Sequence, residues 1–356
     1  MSVDELAWLE SLSPWPTDGF GLGRMRALLA ELGEPQRAFP AIHVVGTNGK
    51  STATRRAAAF LLREGLIAGA YTSPHVSGWS ERIQVDGEDV DIEQVLERVR
   101  EPAQRLGATQ FEVVTAAALA EFAAAEVDVA VVEAGLGGRL DATNVLDAPI
   151  VVLTNVALDH TDVLGDTREA IAAEKLAVVS PGATVIVGEP EWDGVYAEDV
   201  GRAAAEAFLG RGLEGDVEIS LPGRFDVVDD DVFSGAHNPA GVEWLLARLP
   251  RSDYVVVASI LADKDAEAML RLLAGAGRVL VATSSRNARA LPAAELARIA
   301  TPFFESVEAV SEPEKGLARA RELAEEQGVL VTGSLYLLAD LAVRLERIPW
   351  ESSASG

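Results

Sequence analysis

A short apolar strand that runs into a glycine-bounded loop and then into an alanine-rich helix constrains the fold of this chain more than any other feature. The strand spans Ile42–Val45, the loop reads Gly-Thr-Asn-Gly-Lys over residues 46–50, and the helix starts at about Thr52. Backbone N–H groups at the start of such a helix, together with a lysine and a hydroxyl, form a site for nucleotide phosphates. The full Walker pattern is incomplete, because Val44 stands where its first glycine belongs. The segment predicts a strand–loop–helix unit that binds a nucleotide.

The residues of the predicted phosphate site are consecutive. They are Gly46, Thr47, Asn48, Gly49, Lys50, Ser51 and Thr52. The alternative is a solvated strand–helix turn without a ligand, and the two glycines, the lysine and the two hydroxyls in register argue against it.

Strands and helices alternate through the first part of the chain. The predicted strands are Ile42–Val45, Ile67–Tyr71, Val127–Glu133, Pro149–Asn155 and Thr184–Val187. The predicted helices cover 5–12, 22–33, 52–64, 92–106, 113–125 and 167–178, where apolar residues recur at helical spacing. This repeated pattern predicts an α/β fold whose mostly parallel sheet is covered by helices.

A second series of strands and helices follows Leu221–Arg224. Its clearer strands are Tyr254–Ser259, Arg278–Thr283 and Val329–Thr332, with helices at about 240–248, 265–274, 293–300 and 314–327. We therefore expect an N-terminal P-loop domain at 1–222, a smaller Rossmann-like α/β domain at 223–348, and a disordered tail at 349–356. The acidic run Asp229–Asp231 is typical of a solvated hairpin tip.

Composition narrows the functional classes. The chain has 356 residues, no cysteine and a net charge of −26. Without cysteine there are no disulfides and no thiolate metal sites, and no apolar run is long enough to span a membrane, so a cytoplasmic protein is expected. The negative charge argues against nucleic acid or an anionic membrane as a partner. It fits a salt-rich cytoplasm or high solubility equally well.

Lysine is scarce, which makes each lysine informative. There are 4 Lys against 26 Arg, so the chain otherwise uses arginine for positive charge. Lysine and arginine are not interchangeable where a compact ammonium or a deprotonated amine is needed. Lys50 and Lys175 are therefore candidates for chemistry.

Polar side chains stand where predicted strands end, which is where open α/β sheets bind ligands. Ser73 follows one strand, Glu133 ends another, and Asp159 and His160 follow a third; the glycine-rich segment 134–144 comes directly after Glu133. If these strands are neighbours, a hydroxyl, a carboxylate and an imidazole converge beside the phosphate loop. Mg²⁺ prefers oxygen ligands, so the alternative for His160 is a helix-capping or core residue.

Many short segments in a fixed order resemble the folylpolyglutamate synthase/dihydrofolate synthase family, the folate branch of the Mur ligase superfamily, over nearly the whole chain. They are Gly21–Met25, His43–Lys50, Thr72–His75, Glu81–Ile83, Gly135–Asn144, Leu158–His160, Glu174–Lys175, Pro222–Arg224, Gly235–Pro239, Asp263–Asp265 and Thr332–Tyr336. The resemblance implies an ATP-dependent ligase that activates a carboxylate as an acyl phosphate, which the amine of L-glutamate attacks.

The resemblance also implies two Mg²⁺ sites and three catalytic residues. Ser73 and Glu133 match ligands of the first metal, and Glu133, His160 and Lys175 match the second, where the family lysine is carbamylated. Lys50 would neutralise charge on the phosphoryl group that is transferred, so Lys50, His160 and Lys175 are the predicted catalytic residues. A monovalent cation is a further candidate cofactor.

Substrate contacts follow from the same resemblance. Phe111 and Asp141 match positions that face the pterin, with plain core packing and a helix cap as the respective alternatives. Further substrate contacts are predicted at His75, Arg82, Arg139 and Ala142. Nucleotide contacts beyond the loop are predicted at Arg224, Ser234, His237 and Asn238. The expected partners are therefore small molecules, namely ATP, L-glutamate and a pterin or folate, bound by a monomer.

Two residues depart from the family pattern and keep other functions open. Ser51 replaces a family glycine, so that Thr52 aligns with the family hydroxyl and is a predicted metal ligand. Ser234 replaces a family aspartate close to the nucleotide. One alternative is a Mur-type amide ligase that acts on a different carboxylate, against which the segment Leu140–Asn144 argues. The other is a degenerate nucleotide-binding paralogue, which Ser234 alone supports.

Overall fold

The structure is a computed structural model that describes residues 4–16, 19–219, 221–325 and 327–342. The chain divides into two compact units. The first comprises Met1–Pro74 and Trp79–Ile219, and the second comprises His75–Gly78 and Ser220–Gly356. The predicted tail at 349–356 lies outside the described residues. Among the described helices, none combines the length and the apolar character that a membrane crossing needs.

The first unit is an α/β layer structure. Its helices are α1 Glu5–Ser11, α2 Gly23–Glu31, α3 Lys50–Arg63, α4 Ile92–Leu106, α5 Gln110–Ala124, α6 Thr161–Leu164, α7 Arg168–Lys175 and α8 Val200–Leu209. Its strands are β1 Ala41–Val45, β2 Ala68–Tyr71, β3 Ile83–Val85, β4 Glu88–Asp89, β5 Val129–Glu133, β6 Ile150–Leu153, β7 Thr184–Val187 and β8 Val195–Tyr196. Among the described residues these strands form one sheet in the order β4-β3-β2-β5-β1-β6-β7-β8.

The centre of this sheet is parallel and fully buried. β1 pairs in parallel with β5 on one side and with β6 on the other, and β2 pairs in parallel with β5. Side chains on opposite faces of β1 belong to different core clusters, with Ile42 and Val44 on the α3 side and Ala41 among residues of α4 and α5. Helices on both faces explain why these strands are mostly apolar and lack a regular alternation of apolar and polar residues. The α/β class predicted from the sequence is confirmed.

The first unit also contains elements that were not predicted from the sequence or that begin at a different residue. β3 and β4 add an antiparallel hairpin beside β2, and their turn uses the left-handed residues Asp86 and Gly87. α5 begins at Gln110, three residues before the predicted start, because Thr109 and Glu112 form a capping box. α8 packs against the core on the α3 side and was also missed.

The second unit is a smaller α/β structure. Its strands are β9 Asp226–Val228, β10 Asp231–Phe233, β11 Val255–Ala258, β12 Val279–Ala282, β13 Ser306–Ala309 and β14 Val329–Thr332. Its helices are α9 Pro239–Leu246, α10 Ala266–Leu273, α11 Ala293–Ala300, α12 Pro313–Ala324 and α13 Leu335–Ala342. The described strands follow the order β13-β12-β11-β14-β10-β9, in which β9 is antiparallel. The β9–β10 turn contains Asp229 at φ 54°, so the predicted hairpin tip is confirmed.

Candidate active site

The candidate site lies where four neighbouring parallel strands of the first unit end. The strand order β2-β5-β1-β6 brings together the segments that follow Tyr71, Glu133, Val45 and Leu153. The backbone N–H of Ser73 donates to Glu133 Oε2 at 3.0 Å, which joins the first two segments directly. The condition for the predicted convergence, namely that these strands are neighbours, is thus met, and the convergence of His160 with Ser73 and Glu133 stays a prediction. Open α/β sheets bind ligands at such an edge.

The phosphate loop is fixed by the segment that follows β6. The N–H of Thr47 donates to the carbonyl of Asn155 at 2.9 Å, and the N–H of Asn48 donates to Asn155 Oδ1 at 2.9 Å. Gly46 has φ 149°, and a Cβ there would lie 1.9 Å from Thr154 Oγ1, so no larger residue fits. The loop is therefore built around its backbone, which a merely solvated turn would not require.

The helix after the loop starts with the geometry of an anion site. Gly49 caps α3 in the left-handed conformation at φ 78°, and the helix begins at Lys50. The first N–H groups of a helix have no partner within the helix and carry its positive end. Lys50 Nζ donates to the carbonyl of Thr47 at 3.2 Å, which places the ammonium beside the loop. Ser51 is buried and Thr52 is half-buried in the first turn.

Thr154 and Asn155 were not identified from the sequence as site residues. Thr154 Oγ1 donates to the carbonyl of Asn48 at 2.7 Å, so both residues hold the loop from the neighbouring strand. The available signal was a polar pair directly after the apolar run of β6. These residues position the loop through hydrogen bonds and have no charge of their own.

Lys175 is the most perturbed cation of the site. It ends α7, is 4% exposed, and donates from Nζ to the carbonyl of Gly46 at 2.8 Å. Burial, and after it the charge of Lys50, lowers the pKa of Lys175 to about 7. A substantial fraction of this amine is therefore neutral at neutral pH, and a neutral amine is a nucleophile. The scarcity of lysine in the sequence pointed to this residue before its partner was known.

His160 lies at the start of the short helix α6. It has φ 51°, and its Nε2 is 3.9 Å from Asp159 Oδ1. His160 occupies the N-cap position of α6 without a capping hydrogen bond from its side chain, and that side chain is 27% exposed, so the core alternative does not describe it. Asp159 also contributes to the electrostatic environment of Lys175.

The side chains of the candidate site match the oxygen ligands that Mg²⁺ prefers only in part. Within residues 4–16, 19–219, 221–325 and 327–342, no three His, Asp or Glu side chains are grouped closely enough to hold a metal ion by themselves. The hydroxyls of Thr52 and Ser73 and the carboxylate of Glu133 are oxygen donors of the kind that Mg²⁺ prefers. Lys175 fits a metal beside His160 only after conversion of its amine into an anionic oxygen donor.

The glycine-rich segment after β5 folds around Asp141. Asp141 Oδ1 accepts from the Thr143 N–H at 3.0 Å and from its hydroxyl at 2.5 Å, while Oδ2 accepts from the Leu136 N–H at 2.8 Å. Burial raises the pKa of Asp141. The carboxylate thus organises the segment through local hydrogen bonds, which is closer to the capping alternative than to an exposed ligand group. Ala142 is buried beside it.

A buried histidine continues this hydrogen-bonded chain into the sheet. His43 Nε2 lies 2.8 Å from Thr143 Oγ1, and His43 Nδ1 has no partner among the described residues. Burial lowers the pKa of His43 to about 4, so the ring is neutral at neutral pH. Because the Thr143 hydroxyl donates to Asp141, it accepts from His43, which fixes the proton on Nε2.

Phe111 packs against the same glycine-rich segment, and Arg139 belongs to it. A Cβ on Gly135 would meet the ring of Phe111 at 2.5 Å, so the ring packs directly on the backbone there. Arg139 Nε donates to Glu174 Oε2 at 3.0 Å and the Arg139 side chain is 58% exposed. The Arg82 guanidinium lies 4.5 Å from the centre of the Trp79 ring.

The contact between the glycine-rich segment and the end of α7 leads to a testable prediction. A Cβ on Gly138 would lie 2.5 Å from the Lys175 carbonyl oxygen and 2.8 Å from that of Glu174, so Gly138→Ala must push the segment or α7 aside. We expect kcat/KM for the acceptor to fall about 10- to 100-fold, since displacements near 1 Å cost that much in a preorganised site. Steady-state kinetics at saturating ATP measure this. Gly212→Ala, where nothing lies within 4 Å, is the matched control. Wild-type kinetics for Gly138→Ala would contradict the assigned contact.

The predicted nucleotide residues of the second unit are found near the start of that unit. Ser234 is buried and its hydroxyl donates to the Arg224 carbonyl at 3.0 Å. His237 Nδ1 lies 2.9 Å from the Gly235 carbonyl. Asn238 caps α9 by accepting from the Gly241 N–H at 2.8 Å, so helix capping accounts for it. His75 belongs to this second unit, although Ser73 belongs to the first.

Comparisons with known proteins cover both units. Residues 44–207 match the family of the Mur ligase middle domain, and residues 223–335 match the Mur ligase, glutamate ligase domain. The dihydrofolate synthase/folylpolyglutamate synthase of Escherichia coli (strain K12) is 32% identical over 73% of this chain and 76% of that protein. The solved structure of Mycobacterium tuberculosis folylpolyglutamate synthase complexed with ADP has a TM-score of 0.88 and 28% identity, covering 97% of this chain and 100% of that one. A bifunctional folylpolyglutamate synthase/dihydrofolate synthase with Mn, AMPPNP and L-glutamate bound has a TM-score of 0.83 and 27% identity, over 97% of this chain and 98% of that one.

Proposed function

The chain belongs to the folylpolyglutamate synthase and dihydrofolate synthase family of Mur ligases, and we propose that the strand-end site described above is the active site of this ATP-dependent glutamate ligase. Its reaction adds L-glutamate to dihydropteroate, to a tetrahydrofolate or its polyglutamate, or to both. The observation that carries the proposal is the position of Lys175, which is buried and bonded to the phosphate loop at Gly46. That contact joins the phosphate loop to the end of α7, which supports a site that uses both.

The chemistry proceeds in two displacements. An oxygen of the acceptor carboxylate attacks the γ-phosphorus of ATP, the bond to the β-phosphate oxygen breaks, and ADP leaves. The amine of L-glutamate then attacks the acyl carbon, loses a proton, and phosphate departs as the amide forms. The loop N–H groups and Lys50 bind the phosphates and neutralise the charge of the transferring group, which is where most of the catalysis of such reactions arises. Bound Mg²⁺ would supply further neutralisation, held by Thr52, Ser73 and Glu133.

We propose that Lys175 acts as its carbamate. The neutral amine adds CO₂ to give a carbamate anion and one proton, which converts a cation into an oxygen donor beside His160. Burial and the lowered pKa of Lys175 support this step, because only the uncharged amine reacts. The charged lysine in its present contact with Gly46 cannot serve as a metal ligand. Carbamylation is also why an arginine would not replace Lys175.

The acceptor pocket is proposed on the glycine-rich segment. Phe111 presents an aromatic ring on Gly135, and Asp141 fixes the conformation of the same segment. We assign Phe111 to stacking on the pterin and Asp141 to hydrogen bonding or to shaping the pocket. The proposed substrate contacts of Arg139, Ala142, His75 and Arg82 and the nucleotide contacts of Arg224, Ser234, His237 and Asn238 stay predictions. So do a monomeric state, a cytoplasmic location and a monovalent cation.

Phosphate release is the direct test. The protein is supplied with Mg-ATP and L-glutamate, and dihydropteroate or tetrahydrofolate is added separately. We expect stimulation by at least one pterin, and the pterin that stimulates defines the acceptor. ATP binding without stimulation by either, but with turnover on another carboxylate such as a cell-wall precursor, would favour the Mur-type alternative. ATP binding with no turnover on any carboxylate would favour the degenerate paralogue.

A further inference from the structure

An ion pair outside the predicted catalytic set holds the segment that leads to His160. After β6 the chain leaves the sheet, and Val156 has both its backbone polar groups bonded by side chains. Its N–H donates to Glu189 Oε2 at 2.9 Å, and its carbonyl accepts from Arg168 Nε at 2.8 Å. Arg168 Nη2 donates to Glu189 Oε1 at 3.0 Å, which closes a ring of three hydrogen bonds. We call Arg168 and Glu189 the Val156 clamp.

The clamp is braced on its outer side. Trp192 Nε1 donates to Glu189 Oε2 at 2.9 Å, and the Arg168 guanidinium lies 5.5 Å from the centre of the Trp192 ring. Glu191 forms a second ion pair with Arg168. Val156 itself is 2% exposed and belongs to the core beneath β6 and α7. A buried backbone N–H or carbonyl that loses its hydrogen-bond partner costs free energy. These contacts therefore fix the path of the segment.

The position of the clamp relates it to the predicted metal ligands. Arg168 is the first residue of α7, and Lys175 is the last. Val156 lies four residues before His160, and Ala157 is bonded on its other side, since its N–H donates to Thr47 Oγ1 at 3.1 Å. The ion pair therefore ties the segment that carries His160 to the helix that carries Lys175. Separate hydrogen bonds from Ala157 and Lys175 tie both to the phosphate loop.

We propose that Arg168 and Glu189 are positioning residues that hold the segment leading to His160 against α7, which ends at Lys175, and so orient both residues for the proposed metal site. The inference rests on the proposed function for the identity of that metal site. Groups that orient metal ligands from behind affect metal affinity or activity by about 10- to 100-fold. Exposed ion pairs with no such task contribute little to stability. The Arg168 side chain is 40% exposed and the Glu189 side chain 27%, so the two roles predict different results.

The variants Glu189→Ala and Glu189→Gln test the clamp. Alanine removes the acceptor for the Val156 N–H and one of the two carboxylate partners of Arg168. Glutamine keeps one acceptor for the Val156 N–H but turns an N–H toward Arg168, so it breaks the ion pair at nearly constant volume. We expect the Kd for Mn²⁺ in the presence of ADP, measured by electron paramagnetic resonance, to rise about 10- to 100-fold with alanine and less with glutamine. The half-saturating Mg²⁺ concentration for phosphate release should rise in parallel, while KM for L-glutamate stays within about twofold.

Controls separate positioning from stability and from the proposed function. Arg319→Ala breaks an ion pair of similar geometry in the other unit, where Arg319 Nε and Nη2 donate to Glu308 at 2.8 and 3.0 Å, and it should leave the Kd for Mn²⁺ unchanged. A lower Tm for both Glu189 variants with an unchanged Kd would overturn the proposal in favour of a structural ion pair. If Glu189→Ala does not fold, Glu189→Gln decides alone. Because Mn²⁺ binding needs no turnover, the clamp is tested even if no pterin proves to be a substrate.

Discussion

Lys50→Ala is expected to lower kcat about 10³-fold or more while the protein stays folded. The reason is charge: the ammonium is held beside the phosphate loop by the Thr47 carbonyl, where negative charge develops during transfer. Removing one preorganised donor of this kind costs about 10²- to 10³-fold, and a full positive charge in a half-buried loop is expected to be at the upper end. Alanine is the best helix former, so the start of α3 should persist. Single-turnover phosphate release measures the chemical step directly.

Lys50→Arg separates the effect of the positive charge at residue 50 from the effect of the shape of the ammonium group. It keeps the charge but replaces a compact ammonium with a larger planar fork, which is not interchangeable with it where a compact cation is needed. We expect Lys50→Arg to keep most of the nucleotide affinity of the wild type but less than a tenth of its kcat. Nucleotide binding, measured by equilibrium titration with ADP, should weaken only modestly in both variants. Alanine activity within about threefold of wild type would remove Lys50 from the transferring step.

The strand ends were predictable because two simple rules operate there. Apolar runs mark the buried parallel strands, and the first polar residue after each run marks its carboxyl end. This reasoning found Glu133 and Ser73, which the structure joins by one hydrogen bond. Lys175 was found in another way, through the scarcity of lysine in a chain that otherwise uses arginine.

Long-range contacts were not predictable in this way. Periodicity says which face of an element is apolar, but not which residues 129 positions apart will meet, as Lys175 and Gly46 do. The Val156 clamp was missed for the same reason, because Arg168 and Glu189 read as ordinary surface charges. Other misses had readable signals. Thr109 and Glu112 have the spacing of a capping box, and Asp86-Gly87 is a common hairpin turn.

Lys175→Ala tests the proposed carbamylation of Lys175. We expect kcat to fall about 10³-fold or more, since the substitution removes a predicted metal ligand and the bond to the Gly46 carbonyl together. The substitution leaves a cavity beside the Gly46 carbonyl, and we expect a small carboxylate to enter it. An acid such as acetate or propionate would then supply the oxygen donor that the proposed carbamate would provide. Partial recovery of activity that saturates with acid concentration is the expected result, measured by phosphate release.

Lys175→Arg and Lys175→Met separate the carbamate from the other roles of this side chain. Arginine keeps a donor for Gly46 and a positive charge but cannot be carbamylated, and methionine keeps most of the volume without a charge. Both should be as inactive as alanine, and neither should respond to added acid, because the cavity is filled. Activity of Lys175→Arg near that of wild type would show that a cation is what the site needs, and the carbamate would be wrong. Rescue of alanine by a primary amine instead of an acid would lead to the same conclusion, since the group that the site lacks would then be the ammonium that donates to Gly46.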